Sequence, residues 1–293
     1  MKTLIQNYTS VLSTEAMYLQ RSLQEIGEDS ILWNDPNRSA FDTFDSIKPD
    51  VFISHFRFLT SDIIKYLSKN KKISMVLNIT GIQKEELEML EGVIDNNNLA
   101  APFVFTNLYK VPDALSSKSI KIESLYPAAD IFLPRMPTPE YELDACIFSL
   151  SDNKLVQDAA RENDNYHIAS FNPQDQSGYA DMFLDITTAS SFYERYKKII
   201  LADDINIVTS QLFFDSLLRC KQIKIKVDES QQSQLDEILA TLFVETSGDG
   251  GLGEVLRGQI RKRHNCFRRT ARLFRLLKSS EVSGKLERAS DQL

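Results

Sequence analysis

Histidine, acidic and hydroxyl side chains recur where apolar runs give way to helical patterns, and these are the residues able to do chemistry. His55 closes the run VFISH. An imidazole titrating near neutrality at that point is placed to deprotonate an acceptor hydroxyl; the alternative is a hydrogen-bonded structural histidine. Glu15 competes for the role from the first turn of the helical pattern TEAMYLQRSLQEIG, where a carboxylate also simply complements the helix dipole. Ser149 and Lys154, in Ser149-Leu-Ser151-Asp-Asn-Lys154, combine hydroxyls and a cation at a helix start. That combination suits a diphosphate, and equally an ordinary capped turn. Ser210, Gln211 and Asp215 mark another helix start, after the run INIVTS. Free N–H groups there offer positive potential to a phosphate, and Asp215, one turn in, can accept from ribose hydroxyls. The competing reading is an N-cap followed by a solvated acid. Asn78 and Thr80, and Thr106 and Asn107, follow two further apolar runs and could hydrogen-bond sugar hydroxyls, or could serve the turns alone.

The densest charge feature lies near the C-terminus. Residues 254–278 hold nine Lys and Arg against one acid, Glu254, so the remainder of a chain of net charge −7 carries −15. Arg261, Arg268, Arg269 and Arg272 are the candidate contacts to a polyanion such as DNA or a membrane surface. Pairing with the acidic remainder is the plainer reading. No D-x-D occurs, so a metal-bridged diphosphate is not indicated, and helix dipoles with cations must stabilise a departing phosphate. Nor does any G-x-S-x-G, H-E-x-x-H or G-x-G-x-x-G occur. Gly248–Gly253 lacks the Lys-Ser/Thr of a phosphate-binding loop and reads as a connection. Cys146, Cys220 and Cys266 form no ligand cluster, so neither a metal nor a resident cofactor is expected.

The elements that must position these residues follow from length and periodicity. A chain of 293 residues, 42% apolar and 26% charged, has material for two cores. Short apolar runs (KTLIQ, SILW, VFISH, ISMVLN, FVFTNL) alternate with helical patterns up to about residue 135. The alternation restarts with ACIFSL, YHIASF, INIVTS and QIKIKV, which predicts parallel sheets joined by helices. The spacing further predicts a long helix TTASSFYERYKKIIL, one long basic helix over 254–278, and a loosely held polar tail. Pro134, Pro137 and Pro139 suit a link between domains. The expected architecture is therefore α/β: two Rossmann-like parallel-sheet domains, 1–138 on the acceptor side and 139–293 on the donor side, facing across a cleft where ligands bind at strand carboxyl ends. No leader or membrane-spanning run is legible, so the expected location is cytoplasmic.

The pattern M-K-x-L-I, S-T-E-A-x-Y-L-x-x-S-L-x-x-I-G and I-K-P-D-V-F-I-S-H resembles the first domain of GT-B glycosyltransferases, nearest the spore-maturation (CgeB-like) and related phage and bacterial enzymes. Ser210-Gln-Leu-Phe-Phe-Asp-Ser-Leu-Leu-Arg-Cys220 is similar to the family's donor-domain S-x-R-x-F-E-x-L-A-x-G, with Leu212 for Arg and Cys220 for Gly. Arg263-His264-Asn-Cys-Phe-Arg-Arg269 is similar to its closing H-T-Y-x-x-R helix. The resemblance implies transfer of a sugar from a nucleotide-sugar to an acceptor hydroxyl on a glycan or modified DNA, with Asp215 as the donor-binding carboxylate. A non-catalytic protein keeping the same frame is the alternative.

Overall fold

The computed structural model describes residues 1–7, 13–35, 37–80, 83–108, 111, 113–115, 120–132, 143–149, 153–170, 182–183, 195–203, 211–219, 222–242 and 252–293. They form two compact units: Met1–Tyr126 with Cys266–Gln292, and Pro127–Asn265.

The first unit alternates β1 (Lys2–Gln6), α1 (Ser13–Glu25), β2 (Asp29–Trp33), α2 (Ala40–Ile47), β3 (Val51–His55), α3 (Ser61–Lys69), β4 (Ser74–Asn78), α4 (Lys84–Asn96), β5 (Phe103–Thr106) and β6 (Ile122–Ser124). The strands pair in parallel in the order β2-β1-β3-β4-β5-β6. Val51–His55 is buried along its whole length, as a central parallel strand covered on both faces must be. On one face Leu4, Phe52, Leu77 and Val104 pack with Phe44, Ile63, Leu67, Leu87 and Leu90 of the helices. Gly27, at φ 79°, takes the left-handed turn that ends α1. FDTFDSI, a polar stretch by composition, is helix α2: Ser39 accepts from the Asp42 N–H as its N-cap, and Ala40, Thr43, Phe44 and Ile47 supply a buried stripe.

The second unit contains β7 (Leu143–Phe148), α5 (Lys154–Arg161), β8 (Tyr166–Ser170), β9 (Met182–Phe183), β10 (Tyr196–Ala202), α6 (Gln211–Arg219), β11 (Gln222–Lys226), α7 (Gln232–Leu242) and α8 (Leu252–Arg263). Its parallel sheet runs β11-β10-β7-β8-β9. The expected helix over TTASSFYERYKKIIL fails at its end. Tyr196–Ala202 is the strand between β7 and β11, and its last four residues are fully buried. A run of β-branched and apolar residues can satisfy either period, and burial on both faces of a sheet decides it.

The chain continues as α9 (Cys266–Leu276) and α10 (Ser280–Asp291). Two expectations change here. The long basic helix is interrupted at His264 and Asn265, where the His264 ring bonds the Leu242 carbonyl (2.8 Å) and Asn265 bridges to Ala129. The polar tail is the ordered helix α10, with Val282, Ser283, Leu286 and Ser290 buried at helical spacing. Both helices belong to the first unit, although the sequence boundary kept 139–293 together; α9 packs on α1 and α10 on α9. The apolar face of α9, with Phe267, Ala271 and Phe274 buried, supplies the reason.

Candidate functional sites at the sheet switch points

Open parallel sheets bind ligands where the strand order reverses, outside the carboxyl ends. In the first unit that point lies between β1 and β3. A recess opens there, lined by Gln6, Asn7, Glu15, Ser54, His55 and Asn78 over a floor that includes Ile5, Ile53 and Phe105. Its cavity volume of about 40 Å³ admits a few waters; a larger group would rest at its mouth. His55 and Glu15, 40 residues apart in sequence, thus come together as the sequence requires of two candidates for one role.

Their surroundings separate them. His55 is 8% exposed. Its Nδ1 accepts from the Arg57 N–H (3.2 Å), and its Nε2 lies 3.1 Å from the Thr80 carbonyl. These partners fix the proton on Nε2, and burial holds the imidazole below its ordinary pKa against the opposing pull of that carbonyl. In this arrangement both ring nitrogens are engaged and His55 ties β3 to the turn after β4, which leaves Glu15 the more open of the two candidates. The neighbouring hydroxyl and amide groups do related work. Asn78 Oδ1 accepts from the Thr80 N–H and hydroxyl (2.8 and 2.6 Å), and Thr80 Oγ1 accepts from the Asn107 N–H (2.9 Å).

Glu15 is held differently. Its Oε1 accepts from Nε and Nη2 of Arg269, whose side chain is 2% exposed. Arg269 Nη1 donates to the carbonyls of Leu125 and Tyr126, Nη2 also reaches Asn107 Oδ1 (2.8 Å), and the guanidinium lies over the Phe105 ring at 5.5 Å. Burial opposes this charge, but Glu15 and Tyr18 keep the guanidinium more firmly protonated than a free arginine. Glu15 Oε2 has no partner among the described residues and stays accessible. Sequence reasoning missed this pair because its members are 254 residues apart; the local sign is that Arg269, alone of the arginines in its run, falls between Phe267 and Ala271 on the packing side of the helix.

Arg269 is therefore no contact for a polyanion. Arg268 pairs with Asp291 and Arg275 with Glu287, both acids on α10, and Arg261 is half-buried in α8 of the other unit. Among the arginines proposed for that role, Arg272 alone is exposed and without an acidic partner among the described residues. The cationic stripe reads so strongly in sequence because its counterions lie one helix further on, in a tail that looked unstructured.

In the second unit the strand order reverses between β7 and β10. Ser149 follows β7 and Asp203 follows β10; both are buried, and the Ser149 hydroxyl donates to Asp203 Oδ2 (3.0 Å). Asn153 Nδ2 donates to Ser149 Oγ (3.0 Å) and to the Ala202 carbonyl (3.3 Å), while its Oδ1 caps α5 through the Val156 N–H (3.0 Å). Lys154 is exposed as the first residue of that helix. Asp203 and Asn153 were missed: reading YKKIILA as helix removed the strand end that places Asp203. Ser210 lies outside the described residues, and of Gln211 only its place at the start of α6 is described.

Asp215 does not sit open to a ribose. It is 2% exposed, and its Oδ1 accepts from the Asp130 N–H (2.7 Å). The buried Phe213, Phe214 and Ser216 around it show that this part of α6 faces the core, so the carboxylate secures the segment at Asp130. No group of three His, Cys, Asp or Glu able to hold a metal occurs among the described residues, nor does a helix long and apolar enough to cross a membrane.

No protein-family model and no curated protein matches the chain. Solved structures do. Anabaena Alr3699/HepE in complex with UDP aligns with a TM-score of 0.52 at 11% identity, over 95% of this chain and 100% of that one. The same protein with UDP and glucose aligns with a TM-score of 0.51, again at 11% identity and over 95% and 100%. Spinosyn rhamnosyltransferase SpnG complexed with thymidine diphosphate aligns at 0.42 and 12% identity, over 100% and 96%. The Anabaena likenesses are ones of fold; with the two parallel sheets, they give this chain a two-domain, Rossmann-like, GT-B-like fold.

Proposed function

We propose that the chain is a glycosyltransferase that moves a sugar from a nucleotide-sugar to an acceptor hydroxyl, of the spore-maturation-like group its motifs resemble. The observation that carries this reading is the polar cluster at the β7/β10 switch point, on a fold like that of a protein solved with UDP. There the N-terminus of α5 and Lys154 meet the needs of a diphosphate, N–H donors and a cation, while Ser149, whose hydroxyl donates to Asp203, orders the strand ends beside them. Ser210 and Gln211 remain donor-side choices at the start of α6. We assign to Glu15 of the first unit the proton of the acceptor hydroxyl as its oxygen bonds to the anomeric carbon, and to the α5 terminus and Lys154 of the second the charge on the nucleoside diphosphate that leaves when the bond from that carbon to its phosphate oxygen breaks.

A non-catalytic binding protein is the second reading, favoured by the engagement of Asp215 within the core and by Leu212 and Cys220 in the motif. Incubating the full chain with radiolabelled UDP-hexoses and saccharide acceptors, in excess chelator because D-x-D is missing, separates the two. Acceptor-dependent release of nucleoside diphosphate, cut at least tenfold by Lys154→Glu, is expected of the transferase. Binding of the nucleotide with neither transfer nor hydrolysis is expected of the scaffold.

A further inference from the structure

The turn Phe56–Phe58, which follows β3 beside the recess, is held by a histidine that must be neutral. His55 Nδ1 accepts from the Arg57 N–H (3.2 Å) while its Nε2–H donates to the Thr80 carbonyl (3.1 Å), so one tautomer serves both bonds. The turn closes on itself through the Leu59 N–H and the Phe56 carbonyl (3.1 Å). Two connections then leave it. The Arg57 guanidinium forks onto Glu86, Nε to Oε1 and Nη2 to Oε2, each at 2.8 Å. Glu86 Oε2 also accepts from the Gln83 N–H (2.9 Å), as part of the capping box that starts α4. On the other side the Phe58 carbonyl accepts from Gln6 Nε2 (3.4 Å), and Gln6 Oε1 takes the Ser54 hydroxyl (2.6 Å). Gln6, Ser54, His55 and Phe58 all line the recess.

An imidazolium carries N–H on both nitrogens and has no lone pair to accept with. Protonated at Nδ1, His55 sets one N–H against another, in a ring 8% exposed where little water reaches to replace the lost bond. The strand cannot yield, because β3 is paired on one side with β1 and on the other with β4; the three-residue turn is what gives way. The charged groups facing the ring are Arg57 from its own turn, Glu15 from α1 and Glu86 from α4, with the Phe58 ring centred 5.8 Å away. Burial, joined by Arg57, outweighs the Thr80 carbonyl and the two acids, so the closed turn holds the imidazole below its ordinary pKa.

We propose that His55 is a proton-operated latch: the neutral ring keeps the Phe56–Phe58 turn closed, and protonation frees that turn together with Arg57 and the start of α4. The device alters the wall of the recess, yet it stands apart from the transferase reading, since neither donor nor acceptor enters its test. The open turn binds the proton more tightly than the closed one. Opening therefore grows by up to about tenfold per pH unit as pH falls from the free value of about 6.5 towards the lower value of the closed turn.

Amide hydrogen exchange on the full chain, expressed as protection factors at pH 7.5 and 5.5, decides it. On acidification the Arg57, Leu59 and Gln83 amides should lose protection by at least about fivefold, while the Ile64 amide, bonded to the Thr60 carbonyl in α3 (3.0 Å), changes less than about twofold. In His55→Gln, whose amide takes up no proton in this range, the loss at Arg57 and Leu59 should fall below about twofold. Nitrogen-15 shifts of the wild-type ring need no variant: they should show the Nε2–H tautomer at pH 7.5, with a titration midpoint that tracks the loss of protection. An Nδ1–H tautomer, a loss shared equally by Ile64, a loss retained in His55→Gln, or no loss at Arg57 and Leu59 overturns the inference.

Discussion

Arg269 and Glu15 form an ion pair almost sealed from water, with side chains 2% and 12% exposed. Removing one member of such a pair leaves the other charge buried and uncompensated, which costs about 3–5 kcal/mol, whereas replacing both with apolar residues is often neutral. Arg269→Met should therefore destabilise the first unit by roughly that amount in urea titration, and adding Glu15→Leu should restore most of it. Additive losses would show that the two do not act as a pair. His55 makes a pH prediction. Burial first, then the positive charge of Arg57, hold its pKa below the ordinary 6.5, with Thr80, Glu15 and Glu86 opposing. The unfolded chain thus binds the proton more tightly, so the stability this group contributes is complete above the unfolded value of about 6.5 and is lost as pH falls through the lower folded value. The melting temperature should drop between pH 7.5 and 5.5, and drop less in His55→Gln; equal slopes would remove His55 as the cause. Asp215→Ala should cost about 1–3 kcal/mol by stranding the buried Asp130 N–H, more than a solvated first-turn acid would.

At the scale of elements, the basic α9 and acidic α10 act together. Arg268 and Arg275 meet Asp291 and Glu287, and Lys285 meets Glu28. DNA binding through this helix would lose affinity with a salt slope of roughly −0.9 per phosphate contacted. With its neighbours paired, Arg272 can supply at most one such contact, so retention on duplex DNA should be slight at low salt and absent at physiological salt. A steep slope abolished by Arg272→Ala would contradict this arrangement. The alternation of strands and helices in the first unit was legible because each run was short, bounded by Gly, Pro or a capping residue, and regular in period. Three features were not. Helix α2 is rich in Asp and Thr and owes its stability to four buried side chains; β10 carries a run that fits either period; and α10 depends on docking rather than on intrinsic propensity. The site was legible as far as the strand ends locate it. It was illegible where a long-range partner decides a role, as Thr80 does for His55, Arg269 for Glu15 and Asp130 for Asp215.

At the scale of the molecule, a chain of net charge −7 must present positive potential locally if it is to hold a nucleoside diphosphate, and the proposed donor site puts it at the start of α5 with Lys154, beside the β7/β10 switch point. A ligand that binds only the folded chain raises its stability by about 2.7 kcal/mol at a hundred times its dissociation constant. The most direct test is therefore calorimetric titration of the full chain with UDP and the other nucleoside diphosphates, with thermal melting alongside. The account predicts saturable binding of one of them, a matching upward shift in melting temperature, and at least a tenfold loss of affinity in Lys154→Glu with the fold retained. Millimolar concentrations of every nucleoside diphosphate producing neither heat nor a shift would contradict it.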